Sequence, residues 1–247
     1  MITGATSGFG RACAERFARA GWKLILNGRR VERLQQCKQE LEERYQAAVF
    51  LLPFDVQEKE QVEQAISQLP TNWLEVDVLV NNAGLALGRD AFEEADMADW
   101  ETMINTNVKG LLYVSRSVLP LMIRRRQGQI INIGSTAAKE VYEKGNVYCA
   151  TKAAVDSISK AMRIDLLRHR IKVTAIHPGA AETEFSMVRF KGDTAKADAV
   201  YEGYVPLSAD DVAEVVYYTT TLPEHVCIND LVLTCTAQAS SFYTWKG

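Results

Sequence analysis

Short apolar runs alternate with longer amphipathic stretches from one end of the chain to the other. The runs Lys23–Asn27, Val49–Leu52, Val76–Val80, Gln129–Ile133, Lys172–Ile176 and Leu231–Leu233 read as strands. Between them, apolar positions recur at helical spacing. In the first such stretch Phe9, Cys13 and Phe17 are four apart, with Ala12 and Ala20 completing the stripe. Strands that alternate with helices imply βαβ crossovers, so the fold class is α/β: a doubly wound, mainly parallel sheet with helices on both faces. No linker, repeat or low-complexity stretch divides the pattern, and residues 1–247 are expected to form a single domain. Residues 182–206 break the rhythm, carrying Thr, Ser, Gly, Lys, Asp and Tyr without a clear strand. An insertion after a late strand is expected to cover a substrate; the alternative is a plain surface excursion.

Composition narrows the partners. Of 247 residues, 47% are apolar and 24% charged, a globular balance, and the net charge of −3 lacks the basic excess of a nucleic-acid binder. No apolar run approaches the roughly 18–20 residues of a membrane span. The five cysteines form no CxxC pair and the histidines His169, His177 and His225 are scattered, so neither a metal site nor a disulfide framework is expected. A reducing, cytoplasmic setting follows from that expectation.

The segment Thr3-Gly-Ala-Thr-Ser-Gly-Phe-Gly10 begins directly after Met1 and Ile2. Such a turn ordinarily follows a complete buried strand. Either that strand is very short here, or residues upstream of it, with any targeting segment, lie outside this sequence. Glycines let backbone N–H groups approach a pyrophosphate at the positive end of the following helix, which makes Gly4, Thr6, Ser7, Gly8, Phe9 and Gly10 candidate cofactor ligands. The second strand ends Asn27-Gly28-Arg29-Arg30, without the carboxylate that accepts from the ribose hydroxyls of NAD. Arg29 and Arg30 suit a 2′-phosphate, so NADP is the expected cofactor.

Tyr148 and Lys152 are four apart and share one helix face; Ser135 ends a strand 13 residues earlier. Oxidising an alcohol requires a base for the hydroxyl proton, and a phenol with an ordinary pKa of about 10 is a poor one at neutral pH. An adjacent ammonium and a positive nicotinamide ring are expected to favour the phenolate of Tyr148. Ser135 is then placed to hold the substrate oxygen.

The ordered set Thr3–Gly10, Asp55, Asn81-Asn-Ala-Gly84, Asn107, Ser135, Tyr148-x-x-x-Lys152 and Pro178-Gly179 resembles the short-chain dehydrogenase/reductase family across nearly the whole chain. The resemblance implies a Rossmann-type fold. It places Asp55 and Val56 at the adenine, Asn82, Ala83 and Gly84 along the adenine ribose, and Pro178, Gly179 and Thr183 against the nicotinamide. Asn107 resembles a fourth catalytic member that holds a relay water leading through Lys152. Further segments, among them Thr183-Glu-Phe-Ser186 and Val188-Arg-Phe-Lys-Gly192, are similar to the branch acting on small 3-hydroxy acids such as serine, L-allo-threonine and 3-hydroxypropionate. That resemblance implies a cytoplasmic homotetramer. A carboxylate substrate needs a cation, and Arg189, inside the 182–206 insertion, is the candidate; the alternative is a solvent-facing arginine. Two alternatives stay open: a reductase of bulkier ketones or 3-oxoacyl thioesters, and a non-catalytic NADP(H)-binding scaffold. The chain departs from the branch in the charged stretch 137–144, where Lys139 and Lys144 are expected to alter substrate choice, and in His177 before Pro178.

Overall fold

The computed structural model describes residues 1–247. All six apolar runs are strands, with edges shifted by at most two residues: β1 (Leu24–Gly28), β2 (Val49–Pro53), β3 (Val78–Asn81), β4 (Gly128–Ile133), β5 (Ile171–Pro178) and β6 (Asp230–Leu233). Every named strand pairing is parallel, β1 with β2 and β3–β4–β5–β6 in order. Ile2 joins the two groups by bridging Leu26 on one side and Val80 on the other. Its N–H donates to the Ile25 carbonyl and its carbonyl accepts from Asn27 N–H, both at 2.9 Å. The glycine turn thus leaves the sheet at its centre, directly after the rung at Ile2.

Two helical layers bury the faces. Helices α1 (Gly8–Arg19), α2 (Val31–Tyr45) and α9 (Ala209–Thr220) share one apolar cluster with Val78, Val80, Ile131 and Ile133. Helices α3 (Lys59–Ser67), α5 (Leu111–Arg125) and α6 (Asn146–Leu166) share the other with Leu79, Ile130 and Val173. Neighbouring strand residues therefore feed opposite cores, which is why the strands read as continuous apolar runs. Asn81 and Asn132 interrupt those runs with a purpose. The Asn81 amide donates to Ser115 Oγ and Asn132 Oδ1, and Asn132 donates to Ser159 Oγ, each at 2.9 Å. This buried chain ties the carboxyl ends of β3 and β4 to α5 and α6.

Residues 182–206 hold two short helices, α7 (Glu184–Arg189) and α8 (Thr194–Ala199). The excursion is closed at its base, where Glu182 N–H donates to the Leu207 carbonyl and Leu207 N–H to that of Ala180. Helix α4 (Met97–Ile104) runs through a π-helical segment, Asn105–Gly110, into α5. No helix is long and apolar enough to cross a membrane.

Candidate active site

A cavity of about 700 Å³ opens along the carboxyl ends of the strands, where α/β folds bind ligands. Gly4, Gly8 and Phe9 line its floor, Arg29, Arg30, Asp55 and Val56 one end, and Ser135, Tyr148, Lys152 and Arg189 the other. Asn82, Ala83, Gly84, Pro178, Gly179 and Thr183 lie along it between those ends.

The floor is built to receive an anion. Gly4 and Gly8 take φ of +65° and +50°, which suits glycine, and a Cβ on Gly10 would lie 2.3 Å from the Gly4 carbonyl oxygen. The Asn82 amide donates to the carbonyls of Thr3 and Gly4 and holds the turn. Helix α1 has neither a capping side chain nor an acid in its first turn. In α9, by contrast, Ser208 and Asp211 form a full capping box. The first-turn amides of α1 are therefore left for a ligand.

At the far end Arg30 reaches back over the turn, donating to Thr6 Oγ1 at 2.9 Å and Ser7 Oγ at 3.1 Å. Arg29 pairs with Asp55 at 3.3 Å. Two charged groups join them that the pattern of residues did not single out: Glu184 of α7 contacts Arg30 at 3.4 Å and Arg33 at 2.8 Å. Their positions, more than 150 residues apart in the chain, hid the contact. With uncapped amides beside three guanidiniums, this end fits a dinucleotide that carries an extra phosphate on its ribose.

At the other end, Tyr148 and Lys152 sit on the buried face of α6 and Ser135 caps the 3-10 turn Thr136–Ala138 at the end of β4. Lys152 is 6% exposed and donates to the Ile133 carbonyl at 2.9 Å. Burial lowers its pKa from 10.5 to about 8. Burial also pushes the Tyr148 phenol well above its ordinary range, and the nearby Tyr142 adds to this, against the Ser135 hydroxyl and the Arg189 guanidinium, which pull it down. Two cations lie by the phenol: the Arg189 guanidinium carbon is 5.6 Å from the Tyr148 ring centre and Lys152 Nζ is 5.9 Å from it, and Arg189 pulls the phenol down.

Asn107 lies in the π-helical segment and does not leave its side chain open. Its Oδ1 accepts from Leu85 N–H at 2.8 Å, and its Nδ2 donates to the Leu85 carbonyl and to Thr151 Oγ1. It clamps the backbone beside Gly84, where a Cβ would lie 3.6 Å from Lys152 Nζ. Arg189 donates to Tyr142 Oη at 3.0 Å and to the Gly88 carbonyl at 3.3 Å, which aims it across the reaction end. Tyr142 and Arg89, also in the cavity wall, escaped notice because neither stands in a motif.

One expectation about the charged stretch needs correction. Lys139 does not face the cavity: its ammonium bonds Asp156 at 3.1 Å and Asp230 at 2.6 Å behind the site. The C-terminal tail, residues 238–247, folds back on its own chain. Gln238 bridges Thr244, Ser241 N–H donates to Glu140, and Phe242 and Lys246 line the cavity. All five cysteines are free thiols.

Residues 1–194 match the family profile of the short chain dehydrogenases. The chain is 49% identical over 232 residues to the NADP-dependent 3-hydroxy acid dehydrogenase YdfG of Escherichia coli (strain K12), covering 94% of this chain and 92% of that one. It is 48% identical over 244 residues to sulfoacetaldehyde reductase 2 of Chromohalobacter salexigens, covering 98% and 96%. The closed form of a serine dehydrogenase complexed with NADP+ superposes with a TM-score of 0.93 at 46% identity, covering 100% of this chain and 98% of that one. The order of motifs, the sheet and these likenesses agree, and the chain belongs to the short chain dehydrogenase family.

Proposed function

We propose that this chain is an NADP-dependent oxidoreductase that interconverts small 3-hydroxy acids, of the serine, L-allo-threonine and 3-hydroxypropionate type, with their 3-oxo acids. The observation that carries the reading is Arg189. A half-buried guanidinium stands 5.6 Å from the Tyr148 ring in the cavity that also holds Ser135 and Lys152. A substrate with its hydroxyl at Tyr148 and its carboxylate at Arg189 has to be short. The names of the relatives, a 3-hydroxy acid dehydrogenase and a serine dehydrogenase bound to NADP+, support the same substrate class and cofactor.

When bound, the nicotinamide accepts or supplies the hydride. The chain's own residues handle the proton and the charge. In reduction Tyr148, held protonated by burial, gives its proton to the substrate oxygen, while the Ser135 hydroxyl steadies the charge that grows there. In oxidation Tyr148 takes the proton, helped by the positive charge of Arg189 and Lys152. Asn107 fixes the backbone at Leu85 and so keeps the path beside Lys152 in place. Gly4 to Gly10, with Thr6 and Ser7, would hold the pyrophosphate, Arg29 and Arg30 the 2′-phosphate, and Asp55 and Val56 the adenine. Pro178, Gly179 and Thr183 border the nicotinamide. Residues 182–206 serve as the cover of a single-domain enzyme, which works as a cytoplasmic homotetramer.

A second reading has one observation in its favour. Arg89 lies 6.0 Å from the Tyr142 ring and adds a second guanidinium near Arg189, which suits a sulfonate in place of a carboxylate. A panel of 3-hydroxypropionate, serine, 2-hydroxyethanesulfonate and a bulky neutral alcohol, followed by NADPH absorbance, separates these. Arg189→Ala is expected to raise KM for the acids about 10-fold or more, the worth of one charge-assisted pair, and to leave KM for the neutral alcohol unchanged, while kcat falls for both because Tyr148 loses a nearby cation. Unchanged KM for every acid defeats the assignment of Arg189.

A further inference from the structure

His177, one of the two departures from the branch, lies fully buried on β5 directly behind Ser135. Its Nδ1 is 3.2 Å from the Ser135 carbonyl oxygen, and a carbonyl only accepts, so Nδ1 carries the hydrogen. The ring lies so close to the backbone that a Cβ on Gly134 would come within 2.4 Å of Nδ1. On its other side Nε2 faces Asp230 at 3.2 Å and Asp156 at 3.6 Å without a well-formed hydrogen bond. The second departure completes the group. Lys139 binds both carboxylates, and Lys160 binds Asp156 at 2.8 Å.

The connectivity gives this group a mechanical meaning. Ser135 caps the 3-10 turn Thr136–Ala138, and Lys139 closes it through its N–H to the Thr136 carbonyl. The loop that bears Ser135 is therefore gripped twice, by His177 at its start and by the Lys139 ion pairs at its end. Asp156 lies one helical turn beyond Lys152 on α6, so the second grip is on the helix that bears Tyr148. The three ligand-type atoms lie within 4.8 Å of one another, as a divalent ion would need. The Lys139 ammonium already lies against both carboxylates and supplies the positive charge from within the chain.

We propose that His177, Asp156, Asp230 and Lys139 form a clamp that sets Ser135 against Tyr148, with His177 and Lys139 acting as positioning residues for the reaction. The proposal rests on Ser135 holding the substrate oxygen. Loosening the loop displaces the hydroxyl, and misplacement by about 1 Å costs up to about 100-fold in rate. The residues that would hold the NADP phosphates, Gly4 to Gly10 with Arg29 and Arg30, lie along the floor and the other end of the cavity, away from the clamp.

Steady-state kinetics with 3-hydroxypropionate and NADP test this on His177→Leu and His177→Asn, each alone and combined with Ser135→Ala. His177→Leu is expected to lower kcat by about 10-fold or more, with KM for NADP within about twofold of the parent. His177→Asn keeps an N–H for the Ser135 carbonyl and recovers most of that loss. In the Ser135→Ala background His177→Leu costs nothing further. Equal losses for Leu and Asn, or losses that multiply with Ser135→Ala, overturn the clamp while leaving Ser135 in its role. Full activity of Ser135→Ala alone overturns both. If His177→Leu does not fold, Lys139→Met and Lys139→Arg decide: the clamp requires a several-fold loss of kcat in the first and its restoration in the second. Activity removed by EDTA and restored by zinc contradicts the clamp, since the ion would displace Lys139.

Discussion

Two lysines near the reaction end are treated by the fold in opposite ways. Lys152 is buried and donates to a carbonyl, with no carboxylate paired to it, and its pKa falls to about 8. Lys139, on the far side of the Ser135 loop, is also partly buried, yet the hydrogen bonds it donates to Asp230 and Asp156, with the charges of those carboxylates, outweigh that burial and hold its pKa above the usual value. The first arrangement costs folding energy: a drop from 10.5 to about 8 amounts to about 3 kcal/mol against the charged form. The second is a compensated cation in a structural role. An uncompensated buried charge beside a buried phenol is the kind of expense a fold carries where chemistry requires it.

Exchanging the two side chains for apolar ones sharpens that contrast most. Lys152→Met is expected to lower kcat/KM by about 10²–10⁴, while its thermal midpoint stays level or rises because a desolvated charge is gone. Lys139→Met is expected to do the reverse, losing about 1–2 kcal/mol of stability with a much smaller effect on rate. Thermal unfolding and NADPH absorbance on both variants measure this, and equal profiles for the two would erase the distinction.

The next effect is on pH. Between pH 8 and 10.5 the unfolded chain keeps a proton on Lys152 that the folded chain has released, so the contribution of this group to stability rises with pH across that window. Lys139 acts in the other sense, its contribution being full below its unfolded pKa and lost as pH rises through the higher folded one. Denaturant unfolding at pH 8 and pH 10 should show about 2 kcal/mol less alkaline gain in Lys152→Met than in the parent. The same gain in both sinks the assignment of the shift to Lys152.

Exposed cations stand as a third case and give the smallest change in stability. Arg29→Ala and Arg30→Ala are each expected to raise KM for NADP about 10-fold, a charge-assisted contact to phosphate, and to move stability by no more than about 0.5 kcal/mol. Unaltered preference for NADP over NAD in both variants would remove the arginines from cofactor choice.

The central strands β1, β3, β4 and β5 were legible because they are buried on both faces and so read as unbroken apolar runs, whereas β2 and the half-exposed edge strand β6 were legible from short apolar runs alone. Gly4 to Gly10 and the Tyr148–Lys152 spacing were legible because their partners are local. What stayed hidden depends on distant contacts. Lys139 looked like a substrate-side charge, but its partner Asp230 is 91 residues away. His177 looked like an isolated departure until β5, β6 and α6 brought Asp230 and Asp156 to it. The path of the tail is likewise set by a distant contact, Ser241 N–H with Glu140, across 101 residues. Asn107 was legible as a site residue, yet the commitment of its side chain to Leu85 follows from the path of the loop after β3.

The central claim is that Tyr148 moves the substrate proton in an NADP-dependent oxidation of a short hydroxy acid. Tyr148→Phe removes one oxygen atom and leaves the ring packed on Phe185. Measured as NADPH formed from NADP and 3-hydroxypropionate, its rate should fall by about 10²-fold or more, with NADP binding retained. A Tyr148→Phe enzyme that forms NADPH within twofold of the parent rate would contradict the account.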